Sequence, residues 1–101
     1  VKQLFSVGEP DAVIAAEDLL AAGALRALEE LRKAIPVVGF NNSVIAECTS
    51  PQLTSVDNLC ESMCETAVRL ISDIAAGKAA PQKTVLSARL VKRKSFIIDK
   101  W

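Results

Sequence analysis

The sequence predicts an α/β fold with a largely parallel sheet flanked by helices. Two short apolar runs, Asp11–Ala16 and Val37–Phe40, are bounded by turn residues and lack polar alternation, as strands buried on both faces do. Two longer segments, 18–34 and 59–76, carry apolar residues at helical spacing. Alternating strands and helices are typical of a parallel sheet whose strands are joined by helices. The 101 residues suffice for one small domain or for part of a larger one.

The first half of the chain supplies a strand, a helix and a second strand. Residues 1–10 fit either the end of a helix or an approach to the strand, with a turn at Gly8–Pro10. Asp18 opens the helix, where its carboxylate is placed to cap the amides of the first turn, and the helix stops before Pro36. Its recurring apolar positions are Leu20, Ala24, Ala27, Leu28 and Leu31.

The loop after the second strand contains short elements. Asn41–Ser43 reads as a polar turn, and Val44–Cys48 has room for one helical turn. Thr54–Val56 then predicts a third short strand.

A long helix and a closing strand follow. Asn58 and Glu61 form a pair resembling a capping box at the start of the helix, and Gly77 is placed to stop it. Residues Thr84–Lys92 alternate in the manner of a strand.

The composition excludes several classes of protein. Hydrophobic residues make up 50% of the chain and charged residues 24%, which argues against intrinsic disorder. No apolar run approaches the roughly 20 residues of a membrane-spanning helix. The absence of His removes the commonest general base and metal ligand. Dinucleotide-binding, phosphate-binding and nucleophile-elbow motifs are also missing, so we expect no enzyme, no cofactor and no metal.

Charge and cysteine content point to ordinary surface and core roles. Residues 1–65 carry a balance of −6 and residues 66–101 a balance of +6, a split that can orient a partner. The Lys92–Lys94 run has no interleaved aromatic and is interpreted as a solvated face rather than a DNA contact. The three thiols are interpreted as small buried, reduced side chains: Cys48, Cys60 and Cys64.

Polar residues follow each predicted parallel strand. Glu17 and Asp18 come after the first strand, Asn41–Ser43 after the second, and Asp57 and Asn58 after the third. Ligands of open parallel sheets bind beyond these carboxyl ends. Carboxylates and carboxamides suit a polyhydroxylated or heterocyclic small molecule. Individually, Asp18 and Asn58 are also explained as helix caps and Asn41–Asn42 as a turn.

Four spaced motifs identify a family resemblance over residues 10–96. They are A-x-x-D-x-x-A-x-G-A, V-G-F-[DN]-[DN], P-x-L-T-[ST]-V and a closing strand that ends in R-x-S. In this order they resemble the C-terminal part of the lactose-repressor (LacI/GalR) family of bacterial transcription regulators. The resemblance implies a core shaped like the periplasmic sugar-binding proteins, with two subdomains hinged around a small effector, a sugar or sugar derivative.

The resemblance also implies roles for particular residues. Glu17 and Asn41 match effector-pocket positions, Asp18 a pocket-edge or capping position, and Asn58 a position near the hinge that can reach the ligand. The matching dimer-interface positions are Ala22, Arg26, Cys48 and Thr49. For those four, helix packing and loop surface are equally good explanations.

The implied protein is a cytoplasmic homodimer that reaches DNA only through a head domain absent from this chain, without membrane contact. The predicted division is a ligand-edge unit over 11–56, a crossover helix and linker over 57–83, and a closing strand over 84–96, within a C-terminal portion of the core over 1–101.

The crossover helix would pack in an N-terminal subdomain that this chain lacks, so we expect its apolar stripe to drive self-association. The alternative is a periplasmic-type sugar-binding protein serving transport, which would carry a signal peptide; none is visible here.

Two departures from the family pattern stand out. The family usually has Asn where this chain has Glu17, and Asp where it has Asn41. Several residues usually separate the helix from the V-V-G-F strand, whereas here Ile35–Pro36 runs straight into Val37.

Overall fold

A four-stranded sheet organises the protein, as seen in a computed structural model that describes residues 1–97. The strands lie in chain order, β1 to β4. The end of the predicted 1–101 unit, residues 98–101, lies outside the described residues. The elements are α1 (Lys2–Phe5), β1 (Val13–Ile14), α2 (Asp18–Leu31), β2 (Val37–Phe40), α3 (Val44–Cys48), β3 (Thr54–Asp57), α4 (Cys60–Ala75) and β4 (Arg89–Val91).

The predicted, largely parallel sheet is confirmed. β1 runs parallel to β2 with Val13 beside Val37, and β2 runs parallel to β3 with Gly39 beside Ser55. Only β4 is antiparallel, on the outer side of β3. The carboxyl ends of β1, β2 and β3 therefore meet at one edge.

The core lies on one face of the sheet, under α2 and α3. Ala21, Ala24 and Leu28 recur at helical spacing on α2 and are buried against Val37 and Leu53. Ala46 of α3 completes this cluster. Leu20, expected among the apolar positions of α2, is 55% exposed. At about 100° per residue it lies at the margin of the face that holds Ala21, Ala24 and Leu28.

The other face of the sheet is open, so the prediction that β1 is covered on both faces is wrong. The β1 side chain Ile14 is 74% exposed, and Val38 and Phe40 of β2 are half-buried. Successive strand residues point to opposite faces, and within residues 1–97 helices cover only the face that holds Val37 and Gly39.

Helix α4 extends away from the sheet. None of its residues is buried, and it makes only marginal contact with the other elements of residues 1–97. The radius of gyration is 17.9 Å, against about 13 Å for a compact chain of this length. No helix among the described residues is long and apolar enough to cross a bilayer.

The cysteines correct another prediction. Cys48, Cys60 and Cys64 were expected to be buried, but all three are exposed. Cys60 and Cys64 lie on the unpacked α4, and Cys48 ends the short α3 at the surface.

The short connection from α2 to β2 is a closed turn. Arg32 adopts the left-handed conformation, with φ of 55°, and its N–H donates to the Glu29 carbonyl. The Lys33 N–H donates to the Leu28 carbonyl, which completes a Schellman motif. Val37 then enters the sheet fully buried, so residues 32–36 bridge the two elements directly.

The closing strand is shorter than the predicted Thr84–Lys92 strand, because only Arg89–Val91 pairs with β3. Beyond β4 the chain is joined to the sheet at Ser95, through its backbone, whose carbonyl accepts from the Val37 N–H over 2.9 Å, and through its side chain. The buried Ser95 hydroxyl donates to the Val37 carbonyl over 2.7 Å and accepts from the Thr54 N–H over 2.7 Å. The serine of the R-x-S motif therefore anchors the end of the chain to β2 and β3.

Candidate functional site

The predicted polar residues lie at the shared carboxyl edge of β1, β2 and β3. Glu17 follows β1, Asn41–Ser43 follow β2, and Asn58 follows β3. A hydrogen bond from Asn58 Nδ2 to Asn41 Oδ1, over 2.9 Å, joins the ends of β2 and β3. We call this group, Glu17, Asn41 and Asn58, the polar edge.

Asp18 lies beneath this edge and is only 2% exposed. Its Oδ2 accepts from the Ser43 N–H over 2.6 Å and from the Ser43 hydroxyl over 2.9 Å. Its Oδ1 accepts from the Ser55 hydroxyl over 2.6 Å. The expected capping of α2 is wrong: Glu17 is the N-cap residue, and Asp18, one position inside the helix, turns toward the sheet.

Glu17 presents its side chain to solvent. The residue is exposed and extended, with φ of −156° and ψ of 163°, and makes no side-chain capping hydrogen bond. Its carboxylate therefore accepts hydrogen bonds from outside the chain without breaking internal ones.

Asn41 and Asn58 take their positions from unusual backbone. Asn41 and Asn42 are both left-handed, with φ of 94° and 47°. The expected Asn58–Glu61 capping box is wrong, because α4 starts after a left-handed Leu59 and carries no side-chain cap. The Asn58 amide bonds Asn41 instead.

Asp57 is the charged group beside these amides. Its Oδ1 accepts from the Leu59 N–H over 2.9 Å, and its Oδ2 lies 3.4 Å from both Asn42 Nδ2 and Arg89 Nη2. These donors favour the ionised form, so the pKa of Asp57 is lowered, chiefly by the Leu59 N–H and further by Asn42 and Arg89.

The predicted dimer positions lie on α2 and α3, which pack together. Ala22 is half-buried, and the side chain of Arg26 is 83% exposed and 3.7 Å from Glu30. Cys48 is exposed, and the Thr49 hydroxyl donates to the Pro51 carbonyl over 2.8 Å. The assignment of these residues to an interface stays a prediction.

Two functional neighbours escaped the sequence analysis. Ser55 lies inside β3, where a hydroxyl facing an apolar helix gave no signal until Asp18 was seen above it. Arg93 was interpreted as part of a solvated basic face, yet its side chain is only 14% exposed. The signal that could have found it is the alternation of the predicted strand 84–92 continued by one residue, which puts Arg93 on the side of Val91 and away from the exposed Lys92 and Lys94.

The described residues suit binding by hydrogen bonds. Within residues 1–97 no group of three or more His, Cys, Asp or Glu side chains could hold a metal ion. The pKa of the Cys64 thiol is raised by the nearby Cys60 charge and by a hydrogen bond to Cys60, which lowers its reactivity.

A cavity of about 440 Å³ lies away from the polar edge, at the amino ends of β2 and β3. Leu28, Ile35, Pro51 and Lys94 are among its lining residues. At the polar edge Glu17 and Asn41 are exposed and Asn58 is half-buried.

Comparison with known proteins identifies the class of this fold. The profile of the periplasmic binding protein-like domain matches residues 1–96. The chain belongs to that family.

Its relatives within the family are transcription regulators. An HTH-type transcriptional regulator of Lachnoclostridium phytofermentans is 37% identical over 89 residues, 84% of this chain and 27% of the relative. The solved transcriptional regulator CelR–cellobiose complex is 37% identical with a TM-score of 0.73, over 84% of this chain and 28% of that one. The lac repressor dimer bound to operator and the anti-inducer ONPF is 29% identical with a TM-score of 0.88, over 96% and 35%.

These matches confirm the resemblance to the core of LacI/GalR-type regulators. The chain spans about a quarter of the length of the curated relatives it matches, 26% to 28% in the first matches.

Proposed function

We propose that this chain is the C-terminal part of the effector-sensing core of a LacI-type transcriptional regulator acting in the cytoplasm. A sugar or sugar derivative binds between two subdomains and shifts a dimer between DNA-binding states. The role is binding rather than catalysis. DNA contact belongs to a head domain outside this sequence.

The observation that carries the proposal is the polar edge. Glu17 offers a free carboxylate, and Asn41 and Asn58 offer paired carboxamides at adjacent strand ends. A carboxylate accepts from sugar hydroxyls, while carboxamides both donate and accept. Asp18 supports this edge from below, because its oxygens are occupied by Ser43 and Ser55. The CelR–cellobiose complex, 37% identical, is a relative that holds a sugar.

The dimer in this proposal uses the surface formed by α2 and α3. Ala22 and Arg26 lie one turn apart on α2, and Cys48 and Thr49 end α3 beside it. The exposed Arg26 side chain and Cys48 thiol are available to a second copy.

The proposal is tested by calorimetric titration of the full-length protein with cellobiose. Glu17→Gln and Asn41→Ala are expected to weaken binding about tenfold each, the effect of losing one good hydrogen bond. The matched control Glu29→Gln removes an exposed α2 carboxylate away from the edge and leaves affinity unchanged. Equal losses in Glu17→Gln and Glu29→Gln, or no binding of cellobiose, would count against the polar edge.

Binding of DNA distinguishes a regulator from the transport alternative. A full-length regulator retains genomic DNA fragments from its own upstream region, and addition of the sugar changes that retention. A transport receptor binds sugar and retains no DNA.

A further inference from the structure

The Asn41–Asn42 turn is a strained segment that needs external support. Both residues have positive φ, 94° and 47°, and neither is glycine. Asparagine tolerates left-handed backbone better than other non-glycine residues, but two such residues in succession persist only where neighbours fix them. Asn41 belongs to the polar edge, so whatever fixes this turn also aims its carboxamide.

Three residues contact Asn42 through hydrogen-bonding groups: Ser55, Asp57 and Arg93. Together with Asn42 we call them the clamp. The Asn42 N–H donates to Ser55 Oγ over 2.9 Å. Its Nδ2 lies 3.4 Å from Asp57 Oδ2, and its Oδ1 accepts from Arg93 Nη2 over 2.8 Å. The backbone and side chain of Asn42 are therefore both restrained.

Arg93 is the rigid part of the clamp. Its Nη1 donates to the Leu53 carbonyl over 2.8 Å while Nη2 reaches Asn42. Its backbone N–H donates to Thr54 Oγ1, and that hydroxyl donates back to the Arg93 carbonyl, each over 2.8 Å. A planar guanidinium spans two such acceptors, whereas the single ammonium of a lysine does not reproduce the fork.

We propose that Arg93 is a positioning residue for the polar edge: through Asn42 it holds the left-handed turn that aims Asn41 at Asn58 and at the ligand. This inference rests on the proposed function for the ligand, but the turn itself is tested without one. Within residues 1–97, the hydrogen bonds of the Arg93 side chain join the segment after β4 to Leu53 and to the turn after β2. The position of the closing segment is thereby linked to the polar edge.

The first experiment follows the side-chain amide resonances of Asn41, Asn42 and Asn58 by NMR in Arg93→Met and Arg93→Lys. We expect all three amides to shift in both variants, while the methyl resonances of Leu28 and Val37 stay in place. The control Lys94→Met removes an exposed neighbouring cation and leaves the amides unmoved. Unmoved Asn41 and Asn58 amides in Arg93→Met, or full rescue by lysine, would overturn the inference.

Asn42→Ala provides a second test where Arg93→Met fails to fold. Alanine deletes the Arg93 and Asp57 contacts and disfavours the left-handed backbone. The Asn41 and Asn58 amides are then expected to move toward solvent-exposed values. Unchanged amide positions in Asn42→Ala contradict a positioning role.

The effect of the clamp on ligand binding is measured separately, as the affinity for cellobiose. Arg93→Lys is expected to weaken its binding about tenfold and Lys94→Met by less than about twofold. If the unmodified protein does not bind cellobiose, the proposed function is contradicted. The NMR shifts then test only whether Arg93 positions the Asn41 and Asn58 amides. Unchanged cellobiose affinity in Arg93→Lys, alongside normal binding to the unmodified protein, overturns the link to the ligand.

Discussion

The buried carboxylate of Asp18 requires a glycine at position 39 of β2. Asp18 approaches β2 at Gly39, and a Cβ built on Gly39 would lie 2.5 Å from Asp18 Oδ1 and 2.9 Å from Leu53 Cδ2. The sheet can therefore hold the buried carboxylate only because position 39 has no side chain. This proximity, together with the Ser43 and Ser55 donors, fixes the edge on which the candidate site stands.

Gly39→Ala is predicted to lower the unfolding free energy by about 2 kcal/mol or more, because Asp18 and Leu53 must move in a packed core. Gly23→Ala, in the exposed middle of α2 with nothing within 4 Å, is predicted to raise it by up to about 1 kcal/mol through helix propensity. Urea unfolding of both variants measures the difference. Equal effects of the two substitutions would contradict the close approach at Gly39.

The lowered pKa of Asp57 predicts a pH dependence. A carboxyl group whose folded pKa is depressed contributes stability above its unfolded pKa, about 3.9, and that stability is lost as pH falls through the folded pKa. Asn42→Ala is predicted to raise the Asp57 pKa more than Arg89→Met does, because the Arg89 side chain is 70% exposed. NMR titration of the Asp57 side-chain carboxyl ¹³C resonance measures the pKa in both variants. A larger rise of the Asp57 pKa in Arg89→Met than in Asn42→Ala would contradict the prediction.

The two long helices end alike, with different residues. Gly77 has φ of 79°, its N–H donates to the Ile74 carbonyl, and the Lys78 N–H donates to the Asp73 carbonyl. Arg32 closes α2 through the same hydrogen-bond pattern at φ of 55°. Gly77 was predicted as a stop because glycine marks this conformation, whereas Arg32 carries no such signal.

Arg32→Gly is predicted to raise the unfolding free energy by about 1 kcal/mol, because glycine accepts the left-handed region without strain. Gly77→Ala is predicted to lower the stability of the end of α4 by a similar amount. Urea unfolding at 222 nm measures the first effect and amide exchange at residues 74–78 the second. A destabilised Arg32→Gly would show that the arginine side chain outweighs its backbone strain.

The molecule as a whole is a sheet with one covered face and one free helix. On α4, Met63 is 50%, Val68 64% and Ile71 66% exposed. Apolar stripes of this kind are usually covered by another surface. The same feature accounts for the high radius of gyration.

The 101-residue chain is predicted to self-associate through α4. Sedimentation velocity should show a mass that rises with concentration, and Ile71→Glu should reduce that rise. Ala22→Glu disrupts the proposed α2–α3 dimer surface instead and should leave the α4-driven association in place. A constant monomer mass contradicts the prediction, and loss in Ala22→Glu alone would assign association to the α2–α3 surface.

The sequence by itself determined the order of elements, the parallel sheet and the polar residues after each strand. Those features depend on local patterns: apolar runs for β2, helical spacing in α2 and α4, and glycine at position 77. Only the tertiary structure decided what each polar group does. Asp18 faces Ser55 across 37 positions of sequence, and Arg93 reaches Asn42 across 51, contacts that no local periodicity encodes. Burial of β1 on one face only was likewise decided by packing, because strand sequence reports apolarity and not which neighbours arrive to cover it.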